Sequence, residues 1–257
     1  MKTIKKSLSK QQALLAIVAT IGFSLPMTEA IASATYSVDQ DVMASPFFGG
    51  ADRVRGYDAD DRNVHRVSSN NPFGMASPET IYLTFGNADL SSFSGPVHAE
   101  LTVQSVSGGF NADASSASPF IVSAHAVNAN PLTSITDDTN AGGAITWSDF
   151  YNNNIESADS AALTSINGFG TVTFDVSAIV NDWISGTNTI QAMALTGAND
   201  TSGTDFLHGF LNNSENPGST YLTVSAVPIP GAVWLMGSGL LGFLGMSRKR
   251  NSANLNN

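Results

Sequence analysis

Between residues 35 and 226, apolar and polar positions alternate over short runs, the period-two signature of strands buried on one face. Ile81, Leu83 and Phe85 mark one run, Val97, Ala99, Leu101 and Val103 a second, and Val172, Phe174 and Val176 a third. Fainter alternation covers 36–42, 120–127, 189–195, 206–211 and 221–224, so eight or more strands are expected. Pairs that tolerate positive φ separate the runs, among them Gly49-Gly50, Gly108-Gly109, Gly142-Gly143, Asn167-Gly168 and Ser185-Gly186. One stretch breaks the period: Ile179, Val180 and Trp183 fall at helical spacing, with Ser177 placed to cap the start and Gly186 the end. Many short strands and one helical turn predict an all-β domain, an antiparallel sandwich or jelly roll.

The two ends follow different rules. Lys2, Lys5, Lys6 and Lys10 precede an apolar run over 13–25 and a small-residue exit, the layout of a secretory signal peptide over residues 1–34. Cleavage after Ala34 would use Ala32-Ser33-Ala34, and Ala30-Ile31-Ala32 is the neighbouring choice. At the other end, Val227-Pro228-Ile229-Pro230 leads into a Gly-rich apolar stretch that stops at Arg248-Lys249-Arg250. A helix over 229–247 would rise about 28 Å, enough for a bilayer core. The cationic stop would stay cytoplasmic, which puts residues 35–226 outside the inner membrane.

Composition narrows the function classes. The chain of 257 residues has no Cys, which excludes disulfides, zinc–thiolate sites and a cysteine nucleophile. Between residues 35 and 226 the only permanent cations are Arg53, Arg55, Arg62 and Arg66, against 20 Asp and Glu. A surface that acidic repels nucleic acid, so no nucleic-acid partner is expected. His65, His98, His125 and His208 show no metalloprotease spacing, and the Gly-x-Ser-x-Gly elbow is absent. A non-catalytic protein is expected.

The segment from Val227 to Arg250 resembles the PEP-CTERM sorting signal, in which a proline motif, a Gly-rich apolar helix and a basic cluster are handled by the membrane protease exosortase. Ile229 stands where the namesake motif has Glu. Within the central domain, Thr80 to Leu90 with Val97 to Val103, and Gly170 to Gly186, are similar to the DNRLRE-type domain, a β jelly roll related to carbohydrate-binding modules. Tyr221 to Val224 sits where that family places its final strand. The resemblance implies three parts: a signal peptide over 1–34, a DNRLRE-like β-sandwich over 35–226, and a sorting and anchor segment over 227–257. It also implies an exported protein of a Gram-negative bacterium, held at the inner membrane as a precursor and then released to the cell surface or extracellular matrix. Its partners would be an exosortase-like protease and exopolysaccharide.

Candidate contacts follow from side-chain chemistry. Four guanidinium groups within 14 positions, Arg53, Arg55, Arg62 and Arg66, could grip carboxylate or sulfate with paired hydrogen bonds. The same groups would pair with Asp52, Asp58, Asp60 and Asp61 if they served the fold instead. Tyr57 and Trp147 offer faces on which a sugar ring could stack, and Trp147 is equally suited to a core. No cofactor is expected beyond a structural Ca²⁺, for which Asp58, Asp60 and Asp61 supply oxygens without an EF-hand spacing. The leading expectation is therefore exopolysaccharide binding. A purely structural or adhesive role in a biofilm matrix is the alternative, and secreted polysaccharide degradation ranks third.

Overall fold

The computed structural model describes residues 32–46, 54–57, 63–69, 79–128, 162–197 and 205–227, all within one compact unit, Ala32–Val227. They form β1 (Ser33–Ser37), β2 (Gln40–Pro46), β3 (Val54–Tyr57), β4 (Val64–Ser68), β5 (Thr80–Thr84), β6 (Val97–Val106), β7 (Phe120–Ala126), β8 (Ala162–Ile166), β9 (Gly170–Asp175), α1 (Ser177–Ser185), β10 (Ala192–Gly197), β11 (Leu207–Leu211) and β12 (Tyr221–Ala226).

All pairings are antiparallel, and the strands make two sheets. The first runs β1-β12-β6-β11-β4, with β9 also on β6, and the second runs β3-β2-β5-β10-β7-β8. Register resolves the branch in the first sheet. Thr102 of β6 faces Tyr221 of β12 and Thr173 of β9, while Ser105 faces Phe210 of β11 and Gly170 of β9. A strand has two flanks, so β9 takes one and β11 and β12 share the other, end to end.

The inward positions of the two sheets build one core. Val97, Ala99, Leu101 and Val103 of β6 meet Ile81 and Leu83 of β5, Met193 and Leu195 of β10, and Val122 of β7, with Phe174 fully buried among them. α1 closes one end by inserting Ile179, Val180 and Trp183, and Trp183 lies 6.2 Å from the Phe85 ring. The Asn181 side chain ties α1 to the start of β6, accepting from the Val97 N–H and donating to the Val97 carbonyl, both at 3.0 Å.

Several expectations need correction. The run over 36–42 is two strands in different sheets, because the chain turns at Val38 and Asp39. Val38 is buried in the core, and Asp39 is held by bonds from the Asn87 backbone and side-chain amides, each 2.8 Å. Ser177 is the first helical residue, and Val176 is the cap. Its hydroxyl donates to Asp175 Oδ1 at 2.5 Å and accepts from the Ala99 N–H at 2.9 Å, so it serves β6 and not the helix start. Gly186 does close the helix, in the left-handed region at φ 77. β5 and β10 are buried on both faces, since their outward residues Thr80, Tyr82, Ala192 and Ala194 are enclosed as well. β3, β4 and β8 had no alternation strong enough to be foreseen.

Candidate functional site

Three of the predicted contact residues lie among the described residues, on two strands. Arg55 and Tyr57 lie on β3, at an edge of the second sheet, opposite Ser45 and Met43. Arg66 is on β4 of the first sheet, opposite Gly209. Arg53, Arg62, Trp147, the calcium candidates Asp58, Asp60 and Asp61, and the sorting residues from Pro228 to Arg250 lie outside the described residues. Val227 is half exposed, and its N–H donates to the Pro96 carbonyl. Ala32 and Ala34 belong to the first-sheet edge: Ala226 donates to the Ala32 carbonyl, and Ala34 pairs with Val224. Among the described residues no helix is long and apolar enough to cross a membrane, and no group of three His, Asp or Glu could hold a metal ion.

Arg66 is buried, and its guanidinium is committed. Nε donates to Glu79 Oε2 at 2.9 Å and Nη2 to Oε1 at 2.8 Å, while the Phe110 ring lies 5.0 Å from Cζ. The two parallel bonds and the flat ring contact are what a planar fork does best. The carboxylate that pairs with it is Glu79, thirteen residues away. A cleft of ≈ 320 Å³ beside Asn63, Val64 and Gly108 therefore has its one guanidinium already neutralised.

Ser105, His208 and Asp113 come together with the residue types of a hydrolase triad. His208 Nε2 is 2.6 Å from Ser105 Oγ, and Nδ1 is 3.5 Å from Asp113 Oδ1. The hydrogen bonds run the wrong way for catalysis. The Ala114 N–H donates to Nδ1 at 3.1 Å, so that nitrogen carries a lone pair and the ring proton sits on Nε2. Nε2 then donates to Ser105, whose own hydroxyl proton goes to the Gly168 carbonyl at 2.9 Å. A nucleophilic serine must instead donate to the imidazole, which in turn donates to the carboxylate. Asp113 is already occupied by the Ser107 hydroxyl at 2.6 Å and the Gly108 N–H at 2.7 Å. Both Ser105 and His208 are fully buried, and burial pushes the His208 pKa below its ordinary value, against the opposing pull of Asp113. The cluster is a clamp around a neutral imidazole that fixes three segments of chain.

The outer face of the first sheet is different. Its outward residues form rows across four strands, Ser37–Tyr221–Thr102–Thr173 and Thr35–Thr223–Glu100–Asp175. Neighbours within a row are about 4.8 Å apart, and the rows are separated by about 7 Å. An open groove of ≈ 530 Å³ crosses this face. Thr102, Gln104 and Thr171 supply its floor, while Leu211, Tyr221 and the turn from Asn216 to Ser219 supply its wall.

That wall is rigid for identifiable reasons. The Ser219 N–H donates to the Asn216 carbonyl at 3.0 Å, with Pro217 and Gly218 at the central positions and Gly218 at φ 85, the residue pattern of a type II turn. Buried Asp41 anchors the loop, accepting from the Asn213 N–H at 2.7 Å and the Ser214 hydroxyl at 3.4 Å, and it also faces His65 Nε2 at 3.4 Å. Asn212 Oδ1 accepts from the Glu215 N–H at 2.7 Å, and Asn213 Oδ1 from the Gly218 N–H at 3.0 Å.

Sequence reasoning missed this groove, although its signal was present. Ser33, Thr35 and Ser37, then Thr171 and Thr173, then Tyr221, Thr223 and Ser225 are the polar halves of the same alternations that mark the strands. Attention to charge and tryptophan passed over them. No family model matches the chain, and no curated protein matches it either.

Proposed function

We propose that this chain is an exported, non-catalytic envelope or matrix protein whose β-sandwich binds exopolysaccharide, and whose C-terminal segment is sorted by an exosortase-like membrane protease. One observation carries the binding reading: the outer face of the first sheet holds an open groove with a hydrogen-bonding floor and a rigid wall. A polymer chain needs a site open at both ends, and its hydroxyls need donors and acceptors fixed in advance. The tautomer of His208 and the burial of Ser105 favour a role without catalysis.

Export and sorting rest on the termini, where cations border each apolar run. The test has two arms. Mass spectrometry of the chain recovered from envelope and culture medium should find residues 1–34, or 1–32 at the neighbouring site, removed and the segment after Pro230 absent. A full-length chain confined to the cytosol would end the sorting and export reading. Purified protein should be retained by exopolysaccharide from the producing cells; no retention would leave a structural matrix role in its place.

A further inference from the structure

The groove on the first sheet also restricts which polysaccharide it can take. We infer that it binds a neutral polysaccharide chain, with the Tyr221 ring as the stacking face and Thr102, Gln104 and Asn216 as the hydrogen-bonding contacts. This rests on the glycan-binding reading and adds the class of ligand.

Three observations lead there. First, among the described residues no charged side chain lines the groove, so none of them can compensate a carboxylate or sulfate as that group leaves water. Second, the charges that flank it are negative. Glu100 and Asp175 occupy the neighbouring row, and Glu215 is exposed on the loop. Asp175 is held below the usual carboxylate range by the hydroxyl and N–H of Ser177, so it stays ionised through mildly acid conditions. Beside that row, His98 Nε2 faces Glu100 at 3.6 Å. A polyanion would meet like charge with no counter-group among the described lining residues, whereas a neutral chain meets no such repulsion.

Third, the groove holds hydrogen-bonding capacity that the protein does not spend on itself. Among the described residues the hydroxyls of Thr102 and Tyr221 and the side-chain amide of Asn216 make no hydrogen bond, while Gln104 Oε1 accepts only a long bond of 3.3 Å from the Thr171 hydroxyl. Asn216 and Tyr221 can donate and accept, which suits a sugar hydroxyl that does both. Tyr221 is partly exposed, and its ring presents an apolar face beside these polar groups, matching a sugar ring that is apolar on its flat side and polar at its rim. The type II turn and the Asp41 anchor hold the wall in place before ligand arrives, so little ordering entropy is lost on binding.

The test is affinity electrophoresis of the full exported chain through gels containing one polymer each. Hydroxyethylcellulose, galactomannan and dextran are the neutral probes, alginate and polygalacturonate the acidic ones, each run at low and at about 0.5 M salt, where screening removes long-range charge effects. The expected result is retardation by at least one neutral polymer, unaltered by salt, and weakened about tenfold or more in Tyr221→Ala and in Asn216→Ala. Tyr221→Phe should keep most of the binding, and thermal melts identify any variant that has lost its fold. Neutral retardation that is equal in wild type and in both folded alanine variants would overturn the assignment of the groove. Retardation by acidic gels alone, collapsing with salt, would overturn the neutral class and leave glycan binding standing. No retardation in any gel would remove the glycan-binding reading and this inference with it.

Discussion

Replacing Arg66 tests whether its guanidinium belongs to the fold or to a ligand. In Arg66→Met the Glu79 carboxylate, itself 2 % exposed, loses two charge-assisted bonds of 2.8 and 2.9 Å. Breaking a buried pair from one side costs about 3–5 kcal/mol, because a charge stays behind in low dielectric. Methionine refills much of the volume beneath Phe110, so the loss is electrostatic more than steric. With a urea slope of about 2 kcal/mol per molar, the unfolding midpoint should fall by about 1.5–2.5 M. Arg66→Lys keeps the charge but not the planar fork, and should lie between wild type and Arg66→Met. Equilibrium urea unfolding followed by tryptophan fluorescence is a suitable assay, since Trp183 is buried in the same core. Polysaccharide retention, measured where each variant is still folded, should not change. An Arg66→Met protein within about 0.5 kcal/mol of wild type that nonetheless loses its polysaccharide would refute the structural assignment and return Arg66 to the ligand surface.

Other perturbations are equally specific. His208 has a folded pKa below its unfolded value of 6.5, so its contribution is complete above that pH; as pH falls, the unfolded chain takes up the proton first and stability declines until the folded form is protonated too. Urea melts from pH 7.5 to 5 should show that decline and His208→Gln should flatten it; identical slopes would remove the buried clamp as the cause. In Gly209→Ala the new Cβ would sit 2.7 Å from both the Ser107 carbonyl oxygen and Val64 Cγ1. That crowding should cost about 1–3 kcal/mol in thermal or urea unfolding, and a neutral result would mean that β4 and the 107–114 loop separate easily. Leu101→Ala removes a fully buried side chain from the middle of β6 and should cost about 2–5 kcal/mol by urea unfolding, with a value below 1 arguing that the two sheets do not pack across it.

Most of the architecture was legible in the sequence where burial is one-sided. β6 and β9 alternate as their environment does, and the helix could be placed to within a residue at its start because Ile179, Val180 and Trp183 share one face. β4 was illegible because His65, Arg66 and Ser68 are polar and all buried. Their burial depends on Asp41 and Glu79, partners 24 and 13 residues distant that no local window contains. The same cause misdirected the reading of Arg66: a cation in an acidic sequence looks free until its distant carboxylate is found. The groove was half legible, since the hydroxyl-bearing rows follow from alternation, whereas the wall depends on a loop whose anchor lies on β2.

Because β11 and β12 lie end to end along one flank of β6, the chain that leaves at Leu211 returns to the same strand at Tyr221. The intervening residues form a detour that joins no other strands, and its two ends stay close whatever its contents. Such a detour can lengthen, shorten or change composition at an entropic cost that grows only slowly with length. The turn around Pro217 can therefore be rewritten while the scaffold keeps its register, and homologous chains should diverge in sequence there before they diverge in shape.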